Sequence, residues 1–213
     1  MGKRVLGVLD GRDMPLDILR RWADSAEVVI VADGAADRLL AADFKPHQIV
    51  GDFDTVSEKA LRGGALLVRD PGQDSTDCDK LLRLARAGSY EDVTLVSVEG
   101  DLPDHELATI QSALKVDLQV RLAYRRGIAW ILRQNTSLKV SCGVGARVSL
   151  LPLENNVRAT LTGVEWPLNH SLLDPKSFSS ISNRAAQTTI GASLSEGSGF
   201  LFVEYPPEEL PFW

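Results

Sequence analysis

The chain predicts an α/β domain with a mostly parallel sheet and helices on both faces, followed by a small all-β, sandwich-like domain. Three observations carry that expectation. Short apolar runs alternate with amphipathic segments over the first part of the chain. After about Ala129 helical periodicity disappears, and short alternating runs are separated by Gly, Asn, Pro and Ser. The length of 213 residues is enough to bury cores for both parts. In order, Val5 to Leu9 reads as a buried strand, Leu16 to Ala26 as a helix and Val28 to Ala32 as the next strand. Asp33-Gly34 then opens a turn before a short helix over Ala35 to Ala42. Ile49-Val50 is a brief strand, and Ser57 caps a helical turn that runs to Arg62. Ala65 to Val68 is strand, Asp77 to Ala87 helix, Val93 to Val98 strand and Asp104 to Lys115 helix. Strands follow at Ser137 to Ser141, Arg147 to Leu151, Val157 to Leu161, Gln187 to Leu194 and Phe200 to Tyr205. The composition shifts near Leu132, which sets the expected domains at 1–132 and 133–213. The Pro-rich end closes on Phe212 and Trp213, aromatics expected to tuck against a neighbouring element.

Composition narrows the function. Hydrophobic residues make up 44% and charged residues 24%, ordinary values for a globular chain. A formal net charge of −6, without a long Lys/Arg run, argues against a nucleic-acid surface. Cys78 and Cys142 are far apart and have no Cys or His at zinc spacing, so neither a disulfide framework nor a zinc knuckle is expected. The stretch from Met1-Gly2-Lys3-Arg4 is interrupted by Asp10, Arg12 and Asp13 and falls short of a signal peptide. No segment approaches the roughly 18 apolar residues of a membrane span. A cytoplasmic location is expected.

The chemistry concentrates in Gly51-Asp52-Phe53-Asp54-Thr55, directly after an apolar run, and in Asp74-Ser75-Thr76-Asp77-Cys78-Asp79-Lys80. Carboxylates at i and i+2 can leave a strand end on one side, with Phe53 turned toward the core between them. That arrangement suits a hard divalent cation such as Mg²⁺, which takes oxygen ligands and substrate phosphates. Gly51 would let backbone approach a phosphate. Asp77 would face the cation and Lys80, one turn on, would meet phosphate charge, at a helix start capped by Asp74 or Thr76. Ligands of open α/β sheets bind beyond the carboxyl ends of the strands. Asp33, Asp52, Asp54, the segment from Asp74 to Lys80 and Gly100 to His105 all follow predicted strands, so they are expected on one edge.

The ordered set Ala32-Asp33-Gly34-Ala35-Ala36, Gly51-Asp52-Phe53-Asp54-Thr55, Asp74-Ser75-Thr76-Asp77 and Asp104-His105 resembles thiamine pyrophosphokinase. Thr162-Gly163-Val164-Glu165-Trp166-Pro167-Leu168 and Ser180-Ile181-Ser182-Asn183 extend the resemblance over nearly the whole chain. It implies transfer of the terminal diphosphate of ATP to the hydroxyl of thiamine, giving thiamine diphosphate and AMP. Asp52, Asp54 and Asp77 would be the magnesium-site carboxylates and catalytic residues. Asp33, Gly34, Gln73, Thr76, Lys80 and Asp104 would lie near the nucleotide, and Trp166 would stack on thiamine with Ser182 and Asn183 close by. The first domain would be the catalytic one, the second the thiamine-binding and dimerisation domain, and the protein a homodimer with its active site at the subunit interface.

The chain departs from that family's pattern where Gly-Gly-Arg usually precedes Asp-His. Gly100-Asp101-Leu102 stands there, replacing a phosphate-pairing arginine by an apolar side chain, for which Arg125 or Arg126 could substitute. The departure leaves room for another acceptor alcohol, or for a non-catalytic ATP or thiamine sensor. Asp52-Phe53-Asp54-Thr55 also matches the Asp-x-Asp-Thr pattern of haloacid-dehalogenase-type phosphatases, but those carry it on the first strand and add a late acidic pair.

Overall fold

The computed structural model describes residues 3–213; Met1 and Gly2, which open the stretch read as too short for a leader, lie outside them. Two compact units divide the chain. The first comprises residues up to Arg125 together with Pro211–Trp213, and the second Arg126–Leu210. The division lies ahead of the compositional shift at Leu132 because the apolar strand β7 (Gly127–Leu132) pairs antiparallel with β14 (Gly199–Glu204), late in the second unit.

In the first unit, β1 (Val5–Val8) is buried along its whole length, as a strand covered on both faces must be. It pairs in parallel with β2 (Val28–Ala32) on one side and β5 (Asp92–Val96) on the other, with Val5 opposite both Val28 and Val93. β3 (Gln48–Gly51), β4 (Leu66–Arg69) and β6 (Gln119–Tyr124) complete the order β6-β5-β1-β2-β3-β4. Crossovers between parallel strands are right-handed. The run from β1 through β4 steps one way across the sheet, which puts α1 (Leu16–Ser25), α2 (Asp33–Ala41) and α3 (Glu58–Leu61) on one face. The return to β5 and the step to β6 put α4 (Asp77–Ala87) and α5 (Pro103–Lys115) on the other. The direction of winding therefore reverses between β1 and β5. Leu6, Leu19, Ile30, Leu39, Ile49, Leu81 and Leu95 are fully buried between sheet and helices.

Local chemistry explains the helix starts. The Ser57 hydroxyl accepts the Ala60 N–H at 3.2 Å. Thr76 and Asp79 form a reciprocal capping box, each accepting the other's backbone N–H at 3.1 Å. The helix α2 begins at Asp33 itself rather than after a turn. The closing aromatics return to the first unit: Phe212 packs on Trp22 with ring centroids 4.8 Å apart, and the Trp213 indole donates to the Ser25 hydroxyl at 2.7 Å.

The second unit contains two antiparallel sheets, the layers of a small sandwich. One has the order β12 (Ser180–Arg184), β9 (Arg147–Pro152), β14, β7. The other has the order β11 (Leu168–Leu173), β10 (Val157–Thr162), β13 (Thr189–Glu196), β8 (Thr136–Ser141). Alternating side chains such as Val157, Ala159 and Leu161 on β10, with Ile190, Ala192 and Leu194 on β13, form its core. Among the described residues, no helix is long and apolar enough to cross a membrane.

Candidate active site

The carboxyl ends of β1, β2, β3 and β5 surround a cavity of about 480 Å³ in the first unit. That volume lies in the range of small-molecule sites. It sits at the reversal between β1 and β5, where doubly wound sheets open a crevice. Each strand contributes the residues that follow it: Asp10 after β1, Asp33 after β2, Asp52 and Asp54 after β3, Ser97 and Asp101 after β5.

Asp33, Asp52 and Asp54 each offer an oxygen within 4.8 Å of the others. Asp33 is buried, and its carboxylate accepts the backbone N–H groups of Phe53 at 2.7 Å and Gly34 at 2.9 Å. Burial raises its pKa above the usual carboxylate value; the two hydrogen bonds oppose the shift, and the charges of Asp77 and Asp52 add to it. Asp52 accepts the Asp54 N–H at 3.2 Å and the Gln73 amide at 3.1 Å, and the backbone bond leads the interactions that depress its pKa. Asp54 is pushed the other way, chiefly by the neighbouring Asp52 carboxylate. Three converging oxygen donors, two of them raised by burial or by like charge, are a donor set suited to a hard divalent cation.

Gly51 has a different task from the one its sequence position suggests. A Cβ there would lie 2.2 Å from Asp33 Cγ, so the missing side chain is the space that Asp33 occupies. Phe53 does not enter the core; it is half-buried with φ 71°, and the chain turns there so that its N–H reaches Asp33.

The second acidic segment lies along the same wall. Gln73, Thr76, Asp77 and Lys80 all line the cavity. Lys80 is buried, with Nζ 3.3 Å from Asp77 Oδ1, and Asp77 lies outside the tight Asp33, Asp52 and Asp54 cluster. Cys78 also reaches the wall, but burial pushes its thiol up to about 12, which removes thiolate chemistry at neutral pH.

Around the start of α5, Asp104 is exposed and outside the cavity wall, whereas Asp101 and His105 line it. Asp101 Oδ2 and His105 Nδ1 are 2.6 Å apart. Leu102, which stands where the related pattern has arginine, is exposed. Arg125 and Arg126 do not line the cavity: the Arg125 backbone N–H donates to Glu99, and Arg126 pairs with Glu204 at 2.6 Å. Gly34 stands behind the wall, bonded to Asp33. Sequence reading missed Asp10 and Gly11, although both follow a strand as the other site residues do.

In the second unit, Trp166 is 61% exposed, a large aromatic face open to a ligand. Asn183 is buried and fixes that segment from behind, accepting the Trp166 N–H at 3.2 Å and donating to its carbonyl at 2.7 Å. Ser182 has φ 59° and accepts from Arg147 Nε at 3.1 Å. Asn183 therefore positions the tryptophan, and the Ser182 hydroxyl is engaged by Arg147.

Comparison with known families and structures adds independent findings. The family description "Thiamin pyrophosphokinase, catalytic domain" matches residues 19–123, and "Thiamin pyrophosphokinase, vitamin B1 binding domain" matches residues 135–199. The fold is similar to that of thiamine pyrophosphokinase from Bacillus subtilis, with TM-score 0.80 and 23% identity over 94% of this chain and 99% of that one. For thiamin pyrophosphokinase from Geobacillus thermodenitrificans the TM-score is 0.81 at 23% identity, over 94% of this chain and 97% of that one. For thiamin pyrophosphokinase from Candida albicans it is 0.78 at 17% identity, over 94% and 89%. No curated protein sequence matches the chain.

Proposed function

The chain belongs to the thiamine pyrophosphokinase family, and from that premise we propose that it transfers the terminal diphosphate of ATP to the hydroxyl of thiamine, giving thiamine diphosphate and AMP. The observation that carries the reading is the convergence of Asp33, Asp52 and Asp54 in a cavity also lined by Gln73, Thr76, Asp77 and Lys80. An acidic wall of this kind repels a polyphosphate unless a cation intervenes. Mg²⁺ is the proposed ion, with Asp52 and Asp54 as ligands and Asp33 or Asp77 completing the set. When bound, it would neutralise phosphate charge and leave the protein the tasks of positioning and dehydration.

The chain's own groups divide those tasks. Lys80, held in place by Asp77, directs its charge at the phosphates. The start of α4, with Thr76 at its head, offers the positive end of its helix dipole to an anion, the Thr76 and Asp79 N–H groups being taken up by the capping box. Gln73 fixes the orientation of the Asp52 carboxylate. Trp166 offers a π face to a flat, cationic acceptor, with Asn183 holding its backbone. A cytoplasmic location and a homodimer whose active site is shared between two copies belong to the same proposal.

Trp166→Ala tests the assignment of the acceptor. Loss of stacking and cation–π contact, about 1–2 kcal/mol, raises the KM for thiamine roughly five- to thirtyfold. The KM for ATP stays within about twofold. Steady-state kinetics with each substrate varied separately reads the difference, and equal effects on both constants remove Trp166 from the thiamine site.

A further inference from the structure

We propose that Asp10 is the general base of the transfer, accepting the proton of the acceptor hydroxyl; the proposal rests on the diphosphate-transfer reading of this cavity. Asp10 lies at the reversal point of the sheet, directly beyond β1, and lines the cavity together with Leu9 and Gly11. Its neighbourhood is built to hold it still. The N–H groups of Leu9 and Gly11, on either side of it, donate to the carbonyls of Val96 at 3.1 Å and Ser97 at 2.8 Å. Arg38 clamps the following turn through the carbonyls of Gly11, Arg12 and Met14 and the Ser97 hydroxyl. Gly11 is itself obligatory, since a Cβ there would lie 2.2 Å from the Glu99 carbonyl oxygen. The Asp10 carboxylate lies over the start of α2: a Cβ at Gly34 would be 3.4 Å from Asp10 Oδ2 and 3.5 Å from Thr55 Oγ1.

The other carboxylates of the cavity are already engaged. Asp33, Asp52 and Asp54 form the cation cluster. Asp77 pairs with Lys80, and Asp101 with His105. Asp10 is the cavity carboxylate left without a hydrogen-bonding partner among the described residues. It faces Arg12 and Asp101, Arg38 and Asp77; burial raises its pKa most, Asp101 and Asp77 add to the rise, and the two arginines oppose it. A raised carboxylate is the better proton acceptor.

The step balances. The hydroxyl oxygen forms a bond to the β-phosphorus, and the bond from that phosphorus to the oxygen bridging it to the α-phosphorus breaks, its electron pair leaving on AMP. The hydroxyl proton passes to Asp10 and from there to solvent.

The test is kinetic. Wild-type protein, ATP, Mg²⁺ and thiamine are assayed for AMP and thiamine diphosphate first, because a wild type that releases no AMP removes the transfer reading and this proposal with it. Asp10→Asn is then expected to lower kcat about 10²-fold with both KM values within about twofold, and to abolish the acidic limb of the kcat/KM pH profile. Asp10→Glu, which keeps a carboxylate, is expected to retain that limb and recover part of the rate. Asp10→Ala replaces Asp10→Asn in the comparison should the amide variant not fold, as judged by its melting transition. A kcat within about threefold of wild type, or a loss of rate carried by the KM for ATP with the acidic limb intact, overturns the assignment.

Discussion

Asp54→Ala is expected to lower kcat at least about 10³-fold, the scale on which charge neutralisation acts in phosphoryl transfer, while the protein remains folded. Asp54 is exposed just beyond the end of β3, so its removal opens no buried cavity. Its pKa is raised first by the hydrogen bond its carboxyl shares with Asp52 and then by the charge of that neighbour. A group with a raised folded-state pKa destabilises the fold above its unfolded value, so losing Asp54 leaves the melting temperature of the metal-free protein unchanged or slightly higher at neutral pH. The stabilisation that Mg²⁺ gives the wild type should shrink in the variant, because binding to the native state alone raises apparent stability. Thermal melts with and without Mg²⁺, beside the rate assay, check both parts. Unfolding of Asp54→Ala without metal would assign the residue a structural role.

Gly51→Ala should damage both activity and stability. The added methyl would lie 2.2–2.5 Å from all three terminal atoms of the Asp33 side chain, and Asp33 is buried and tied to two backbone N–H groups. Something must move. Overpacking of this kind costs about 1–3 kcal/mol, and displacing a ligand carboxylate by about 1 Å can cost 10²-fold in rate. The double variant Gly51→Ala/Asp33→Ala removes the colliding carboxyl and should recover part of the melting temperature, with activity still absent. A single variant as active and stable as wild type would contradict the packing of these two residues.

Much of the fold was legible because apolar runs end in residues with specific backbone chemistry. Val28–Ala32 and Asp77–Ala87 match their predicted bounds; the first is a wholly apolar run, and the second has a Thr cap at one end and Gly88 at the other. β11 was not read as a strand because Asn169, His170 and Leu172 on this sheet-edge strand are exposed, which erases the alternation that marks a half-buried one. β6 and β7 escaped assignment because Val120 to Leu132 is a largely apolar stretch interrupted by Arg121 and by Arg125-Arg126-Gly127. Sequence placed the acidic turns on one edge from the rule that ligands bind beyond strand ends. It could not show that Asp33 joins Asp52 and Asp54, since that depends on the space at Gly51 and the turn at Phe53. Asp77 was grouped with those carboxylates through the family resemblance and its place at a helix start, and its pairing with the buried Lys80 emerges only when α4 packs on the sheet. Asp10 read as a charge that interrupts an apolar N-terminus, although it follows β1 as Asp33 follows β2.

The most direct test of the account is to incubate the protein with ATP, Mg²⁺ and thiamine and to follow AMP and thiamine diphosphate by mass spectrometry, beside reactions lacking thiamine and reactions with Asp54→Ala. The account predicts equal amounts of the two products, both absent from the controls, which would also show that Asp101 and Leu102 are tolerated where the related pattern carries glycine and arginine. Thiamine monophosphate with ADP, or ATP binding with no thiamine diphosphate formed, would contradict it.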